Sequence, residues 1–213
     1  MAGLEFRTDK TLSEADQANF IRIYEDSFPR SERDDTGTLL SSIAAGDRDC
    51  HIVSLNGDLV GFAVLITLSK VQMPFLEYFA VDSTWRNQGI GSRFLAQVTE
   101  ELRSGQTPPD GIVFEVEPPN HAVCEEQRVR QRRIGFYQRN GAVVVDCATT
   151  YRAPNLEQEG TVPYWLMWLP LRPKVGRLDG DLLRRTVAAI LTESYELAGD
   201  DPLVHAVVSE LTC

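Results

Sequence analysis

From Leu76 to Leu102 the chain reads without a break as strand, turn and helix: LEYFAVDSTWRNQGIGSRFLAQVTEEL. The apolar, aromatic-rich run Leu76–Val81 predicts a buried strand, and Asp82-Ser83-Thr84 has turn chemistry. Phe94, Leu95, Val98 and Leu102 recur at helical spacing, so a helix begins near Gly91. A helix N-terminus offers backbone N–H groups without intrahelical partners and a partial positive charge. Glycines at 89 and 91 leave no side chains to keep an anion away from those donors. The stretch therefore predicts a phosphate cradle fed directly by a strand. It is not the dinucleotide fingerprint GxGxxG, because position 94 is Phe, and it is not a Walker loop, because no GK[ST] follows.

Strand, turn, Arg86-x-x-Gly89-x-Gly91 and amphipathic helix together resemble the acetyl-CoA-binding motif of the GNAT superfamily of N-acetyltransferases. The run Ile134-Gly135-Phe136-Tyr137-Gln138-Arg139-Asn140-Gly141-Ala142 resembles that family's second signature, a helix carrying Phe-Tyr that ends in Asn-Gly before a strand. The motifs stand in the family's order between Leu76 and Val145, about a third of the chain. The resemblance implies an α+β fold with a mixed, mostly antiparallel central sheet flanked by helices. It also implies acetyl-CoA as the acyl-donor cosubstrate, bound by Phe79, Ala80, Val81, Arg86, Asn87, Gln88, Gly89, Ile90, Gly91 and Ser92.

The rest of the chain fits such a layout. Leu4–Arg7 alternates as an opening strand, and Ser13 caps a helix bearing Phe20, Ile21, Ile23, Tyr24 and Phe28 that Pro29 stops. A second helical pattern, Leu39, Leu40, Ile43 and Ala44, ends at Gly46. Asn56-Gly57 between His51–Leu55 and Leu59–Leu68 is a strong hairpin signal. Gly111–Glu117 predicts the next strand, Val123–Arg139 a basic helix and Ala142–Asp146 a strand. Thr150–Thr161 reads as a loop, and Tyr164–Leu169 as a final strand that the family would pair with Ala142–Asp146. Pro170 and Pro173 mark a boundary. The expected organisation is an acetyltransferase domain over 1–170 and a C-terminal helical extension over 171–213, packed on the domain or on a partner subunit, as in a homodimer.

Composition narrows the setting. With 43% hydrophobic and 24% charged residues the chain has the balance of a soluble globular protein, with no membrane-spanning run. MAGLEFRTDK lacks the apolar region of a signal peptide, and Cys50, Cys124, Cys147 and Cys213 are scattered. A cytoplasmic location with reduced thiols is expected. The formal net charge of −10 argues against a nucleic-acid partner. It favours solubility and a cationic acceptor such as an amine. His51, His121 and His205 have no ligand spacing, so no metal is expected.

Acetyl transfer to an amine asks for a base to take the acceptor's proton, a hydrogen-bond donor for the oxyanion, and an acid for the departing thiolate. By resemblance the acid is Tyr137, in the Phe-Tyr of the second motif. Three carboxylates are candidates for the base. Glu115 matches the strand glutamate some family members use, Glu77 lies four residues before Val81 where many members carry a glutamate, and Glu117 ranks last, as a solvated edge or an ion pair with the basic helix. Two residues apart in a strand, Glu115 and Glu117 would share a face. Asn120 lies much further from Tyr137 than the family's asparagine, and Arg130 holds the Tyr-relative place. Arg130 and Arg133 fall near the Tyr137 face, to meet CoA phosphates or an acceptor carboxylate, or as a solvated stripe. Tyr164, Trp165 and Trp168 fit an acceptor pocket and a packed core equally well. The expected function is direct N-acetyl transfer from acetyl-CoA to the primary amine of a small molecule or peptide. The alternative is a non-catalytic acyl-CoA-binding module of the same fold.

Overall fold

The Asn56-Gly57 pair forms the tight turn its sequence predicts, with φ of 55° and 92° at the two residues. Both positive values are what a two-residue hairpin needs to follow the right-handed twist of its strands. The turn joins Asp49–Leu55 to Asp58–Leu68 in antiparallel register, with a shift between Val53 and Ser54. The structure is a computed structural model that describes residues 3–172 and 176–212. Its elements in chain order are β1 (Leu4–Thr8), α1 (Glu14–Ser27), α2 (Thr36–Ala45), β2 (Asp49–Leu55), β3 (Asp58–Leu68), β4 (Met73–Val81) and α3 (Ile90–Ser104). They continue with β5 (Gly111–Val116), α4 (Cys124–Arg139), β6 (Val143–Val144), β7 (Arg152–Pro154), β8 (Thr161–Pro163), β9 (Trp165–Pro170), α5 (Gly180–Ala189) and α6 (Pro202–Ser209).

The chain divides into two units. The first holds Met1–Ile66, Leu76–Gly105 and Leu156–Gln158; the second holds Thr67–Phe75, Gln106–Asn155 and Glu159–Cys213. In the first, β1 pairs antiparallel with β2 and β2 with β3. Ser13 caps α1 by accepting the Asp16 N–H, and Asp35 caps α2 by accepting from Gly37 and Thr38. Gly46 ends α2 in the left-handed region at φ 84°. Leu39, Ile43, Phe20, Ile23 and Tyr24 from the two helices close over Ile52, Phe62, Val64, Tyr78 and Ala80 of the strands. The Phe20 and Phe62 rings lie 4.1 Å apart, and Tyr24 meets Tyr78 edge-on at 4.9 Å. Burying this aromatic set is the main stabilisation of the unit. Gly61 is required by close approach, since a Cβ there would lie 2.7 Å from the Ala80 carbonyl oxygen.

In the second unit β9 pairs antiparallel with both β5 and β6. The pairing of the final strand with the segment before Asp146 is as expected, but β6 is only two residues long. Val145 still donates to the Leu166 carbonyl at 2.9 Å, and the chain then leaves the sheet through a short 3-10 turn at Asp146–Ala148. The expected loop over Thr150–Thr161 is instead part of a small hairpin, β7 with β8, whose Ala153 is fully buried. The C-terminal helical pattern is α5 followed by a π turn at Ile190–Ser194, and α6 closes the chain. Pro173 lies outside the described residues. Cys50 and Cys124 are free thiols, whereas Cys147 is disulfide-bonded, contrary to the expectation of reduced thiols throughout; Cys213 lies outside the described residues. Among the described residues no helix is long and apolar enough to cross a membrane.

Candidate active site

In the first unit the predicted cradle begins at Asp82, directly after β4. Its carboxylate accepts the Thr84 N–H at 2.8 Å and the Arg22 guanidinium at 2.5 Å. Burial works against its charge, yet these donors outweigh burial and hold the group below the ordinary aspartate range. Asp82 thereby caps the 3-10 turn Ser83–Trp85 and aims the chain into Arg86–Gly89, which is exposed. Arg86 folds back to donate to the Val81 carbonyl at 2.9 Å and to the Ser27 hydroxyl at 3.2 Å. Gln88 donates to the Thr84 carbonyl at 3.4 Å. Asn87 and Gly89 both have positive φ, 62° and 77°, and Gly89 is the N-cap of α3.

The helix thus starts at Ile90, one residue before the expected place. Arg93 is where its i→i−4 bonding begins, onto the Gly89 carbonyl at 3.2 Å. The N–H groups of the turn preceding it have no helical acceptor, as at any helix start. Ile90 is buried, while Gly91 and Ser92 are half-buried. On the strand side Ala80 and Val81 are buried, and Phe79 stacks on Phe94 of α3 at 5.4 Å.

Glu77, also in the first unit, is not a free carboxylate. Its Oε2 lies 2.6 Å from Arg48 Nε, with side chains only 5% and 9% exposed. Burial opposes the Arg48 charge, but Glu77 and Asp34 overcome it and raise the group further. The paired structural carboxylate is the arrangement present. Nearby, Tyr24 donates to the Asp34 carbonyl at 3.3 Å, and Tyr78 Oη accepts the Asp34 N–H at 3.1 Å. The Ser27–Asp35 loop is therefore pinned, and Ser31 also accepts the Leu156 N–H at 3.0 Å.

In the second unit β5 ends at Val116, so Glu117 lies beyond the strand, and the expectation that it shares a face with Glu115 does not hold. Glu117 is bracketed by Arg130, at 2.9 Å, and Arg133, an ion pair with the basic helix. Arg130 also donates to the Pro118 carbonyl at 3.1 Å and to Glu126 at 2.6 Å. These contacts anchor the middle of α4 to the residues just after β5 and replace the solvated stripe. Asn120 is exposed in the 3-10 turn Pro119–His121.

Glu115 takes different partners. Tyr151 donates to its Oε1, and Tyr195 to its Oε2 at 2.7 Å. Tyr137 is 7% exposed, and its ring packs on Phe114 at 4.4 Å. Burial pushes its hydroxyl up to about 12, with Arg133 pulling the other way. It is therefore a protonated donor at neutral pH. Alternation along β5 sends Phe114, the residue under the Tyr137 ring, and Glu115 to opposite faces. Tyr164 and Trp168 are buried core residues. The Trp168 ring occupies the space a side chain would need at Gly111, 2.2 Å from a Cβ placed there. Among the described residues no group of three or more His, Cys, Asp or Glu is placed to hold a metal ion.

Tyr151 and Tyr195 carry no sequence signal toward Glu115, being 36 and 80 residues away.

A glycine-opened helix directly after a central strand, followed by a strand and a helix carrying Phe-Tyr, is the plan of one acyltransferase class. The profile of the acetyltransferase (GNAT) family matches residues 17–142, and the chain belongs to that family. No curated relative matches it. Among solved structures it is similar to a protein from Bacteroides thetaiotaomicron assigned as a GNAT-family acetyltransferase. The two are 25% identical with a TM-score of 0.70, over 91% of this chain and 99% of that one. The fold is also that of the ribosomal-protein-S18-alanine N-acetyltransferase from Escherichia coli, at 19% identity and TM-score 0.54, over 83% and 97% of the two chains. A protein from Salmonella typhimurium assigned as an acetyltransferase, solved with acetyl-CoA, matches at 16% identity and TM-score 0.56, over 83% and 98%.

Proposed function

We propose that this acetyltransferase moves the acetyl group of acetyl-CoA directly to the primary amine of a small molecule or peptide. The observation that carries the reading is the start of α3: an exposed turn with Gly89 at φ 77° opens the helix immediately after β4. Backbone N–H groups at such a start suit the negative charge of a pyrophosphate. The residues proposed to hold acetyl-CoA are Arg86–Ser92 with the end of β4, Phe79–Val81. When bound, acetyl-CoA supplies an activated thioester.

The chain's own groups then have separate roles. Glu115 accepts the proton of the acceptor ammonium, and Tyr137 donates its proton to the departing sulfur as the C–N bond forms and the C–S bond breaks. Glu77 is the weaker base candidate, because its negative charge is committed to Arg48. Residues 171–213 are proposed as an extension packed on the 1–170 domain. Support comes from the Arg152–Glu210 ion pair at 2.6 Å and from Glu193, which accepts the Ser69 and Lys70 N–H groups at 2.5 and 3.2 Å.

The alternative is a non-catalytic acyl-CoA binder. Thiol release from acetyl-CoA across a panel of amines separates the two. Amine-dependent release that falls by about a hundredfold in Glu115→Gln is the expected result. Acetyl-CoA binding without release by any amine would favour the binder.

A further inference from the structure

Two phenols hold the β5 carboxylate, one oxygen each, and one of them comes from the C-terminal extension. Tyr195 Oη donates to Glu115 Oε2 at 2.7 Å, while Tyr151, just before β7, donates to Oε1. The place of Tyr195 depends on the π turn, where its own N–H bonds the Ile190 carbonyl at 3.2 Å. The same turn is tied down two residues earlier, where Glu193 accepts from the backbone of Ser69 and Lys70. Lys70 Nζ adds a bond to the Thr192 hydroxyl at 2.7 Å. Tyr195 is thus held from its own turn and from the segment just before β4.

Both hydroxyls stay protonated. Burial raises each first, the Glu115 charge raises each further, and Tyr164 acts in the same direction on both. The register partner of Glu115 on β9 is Leu166, and the charge of Glu117 is spent on Arg130 and Arg133. A carboxylate accepts at about four lone-pair positions, and these two phenols take one on each oxygen.

We propose that Tyr195, which lies outside the family-matched residues 17–142, is a positioning residue that orients Glu115 and, together with Tyr151, keeps it ionised. This rests on the reading of Glu115 as proton acceptor. Donors to the charged form of a half-buried carboxylate lower its affinity for protons and offset the cost of burial.

The test uses the full chain. Tyr195→Phe removes one oxygen and keeps the ring. The Glu115 side-chain carboxyl, followed by 13C NMR, should then titrate about one pH unit higher, the size expected for one lost bond to a charged group. The acidic limb of kcat/KM should move in the same direction, with KM for acetyl-CoA unchanged. An unmoved Glu115 titration in folded Tyr195→Phe overturns the proposal while leaving Glu115 as base. Full turnover in Glu115→Gln overturns the base and the positioning role together. Should Tyr195→Phe not fold, Glu115→Gln reads the same coupling from the other side. Phenol ionisation, followed by absorbance, should fall toward the ordinary value near 10, and unchanged ionisation overturns the proposal.

Discussion

Arg48 and Glu77 form an ion pair at 2.6 Å whose two side chains are both withdrawn from water. The partner of each is the other's main compensation for lost hydration. Removing one charge leaves the second buried and only partly matched, since Asp34 stands 3.6 Å from Arg48. Glu77→Gln should therefore cost about 3 kcal/mol in urea unfolding, and Arg48→Met in the same chain should recover a large part of it. A loss of turnover without loss of stability would instead return Glu77 to the chemistry.

The turn into α3 makes a separate prediction. Gly89→Val places a β-branched residue at φ 77°, where L side chains are strained, and sets a side chain beside the exposed N–H groups. Acetyl-CoA affinity measured by calorimetry should fall more than tenfold, which is about 1.4 kcal/mol. Equal affinity in a folded variant would mean the turn cradles nothing.

Tyr137 is buried, and its hydroxyl is held up to about 12, so it carries a proton throughout the neutral range. Tyr137→Phe keeps the ring against Phe114 and should leave acetyl-CoA binding intact while lowering kcat about a hundredfold. Turnover at the wild-type rate would make Tyr137 a packing residue of α4.

Asp82 gives the acid side of stability. Its folded value lies below the ordinary 3.8, so the unfolded chain binds its proton more readily than the folded one. The contribution is complete above that ordinary value and is lost as pH falls through the folded one. Wild type should be more stable than Asp82→Asn by about 1 kcal/mol at pH 7, and the gap should close below about pH 4. A gap independent of pH would assign the effect to shape alone.

Much of this could be read from residue order because the signals are local. Asn56-Gly57, Ser13 before α1, Gly46 after α2 and Gly89 before α3 each act within a few residues of themselves. The partners of the carboxylates were not legible in that way. Arg48 is 29 residues from Glu77, and Tyr195 is 80 from Glu115, so only the tertiary fold brings them together. The β7–β8 hairpin was hidden because each strand is three residues long and ends in proline, which reads as loop. β6 was overestimated because the unbroken apolar run Ala142–Val145 does not announce the 3-10 turn that follows.

The π turn at Ile190–Ser194 makes the C-terminal segment sensitive to genetic change in an unusual way. A helix advances about 100° per residue, so deleting one codon within α5 would swing everything beyond it by about that angle, whereas deleting one within this turn would only restore ordinary α winding, with the Tyr195 N–H still on the Ile190 carbonyl. Composition and length would be almost the same after either deletion, yet only the one in α5 would make Tyr195 face elsewhere. A lineage could thus disconnect the tail from Glu115 by a single in-frame deletion, with no substitution at either residue.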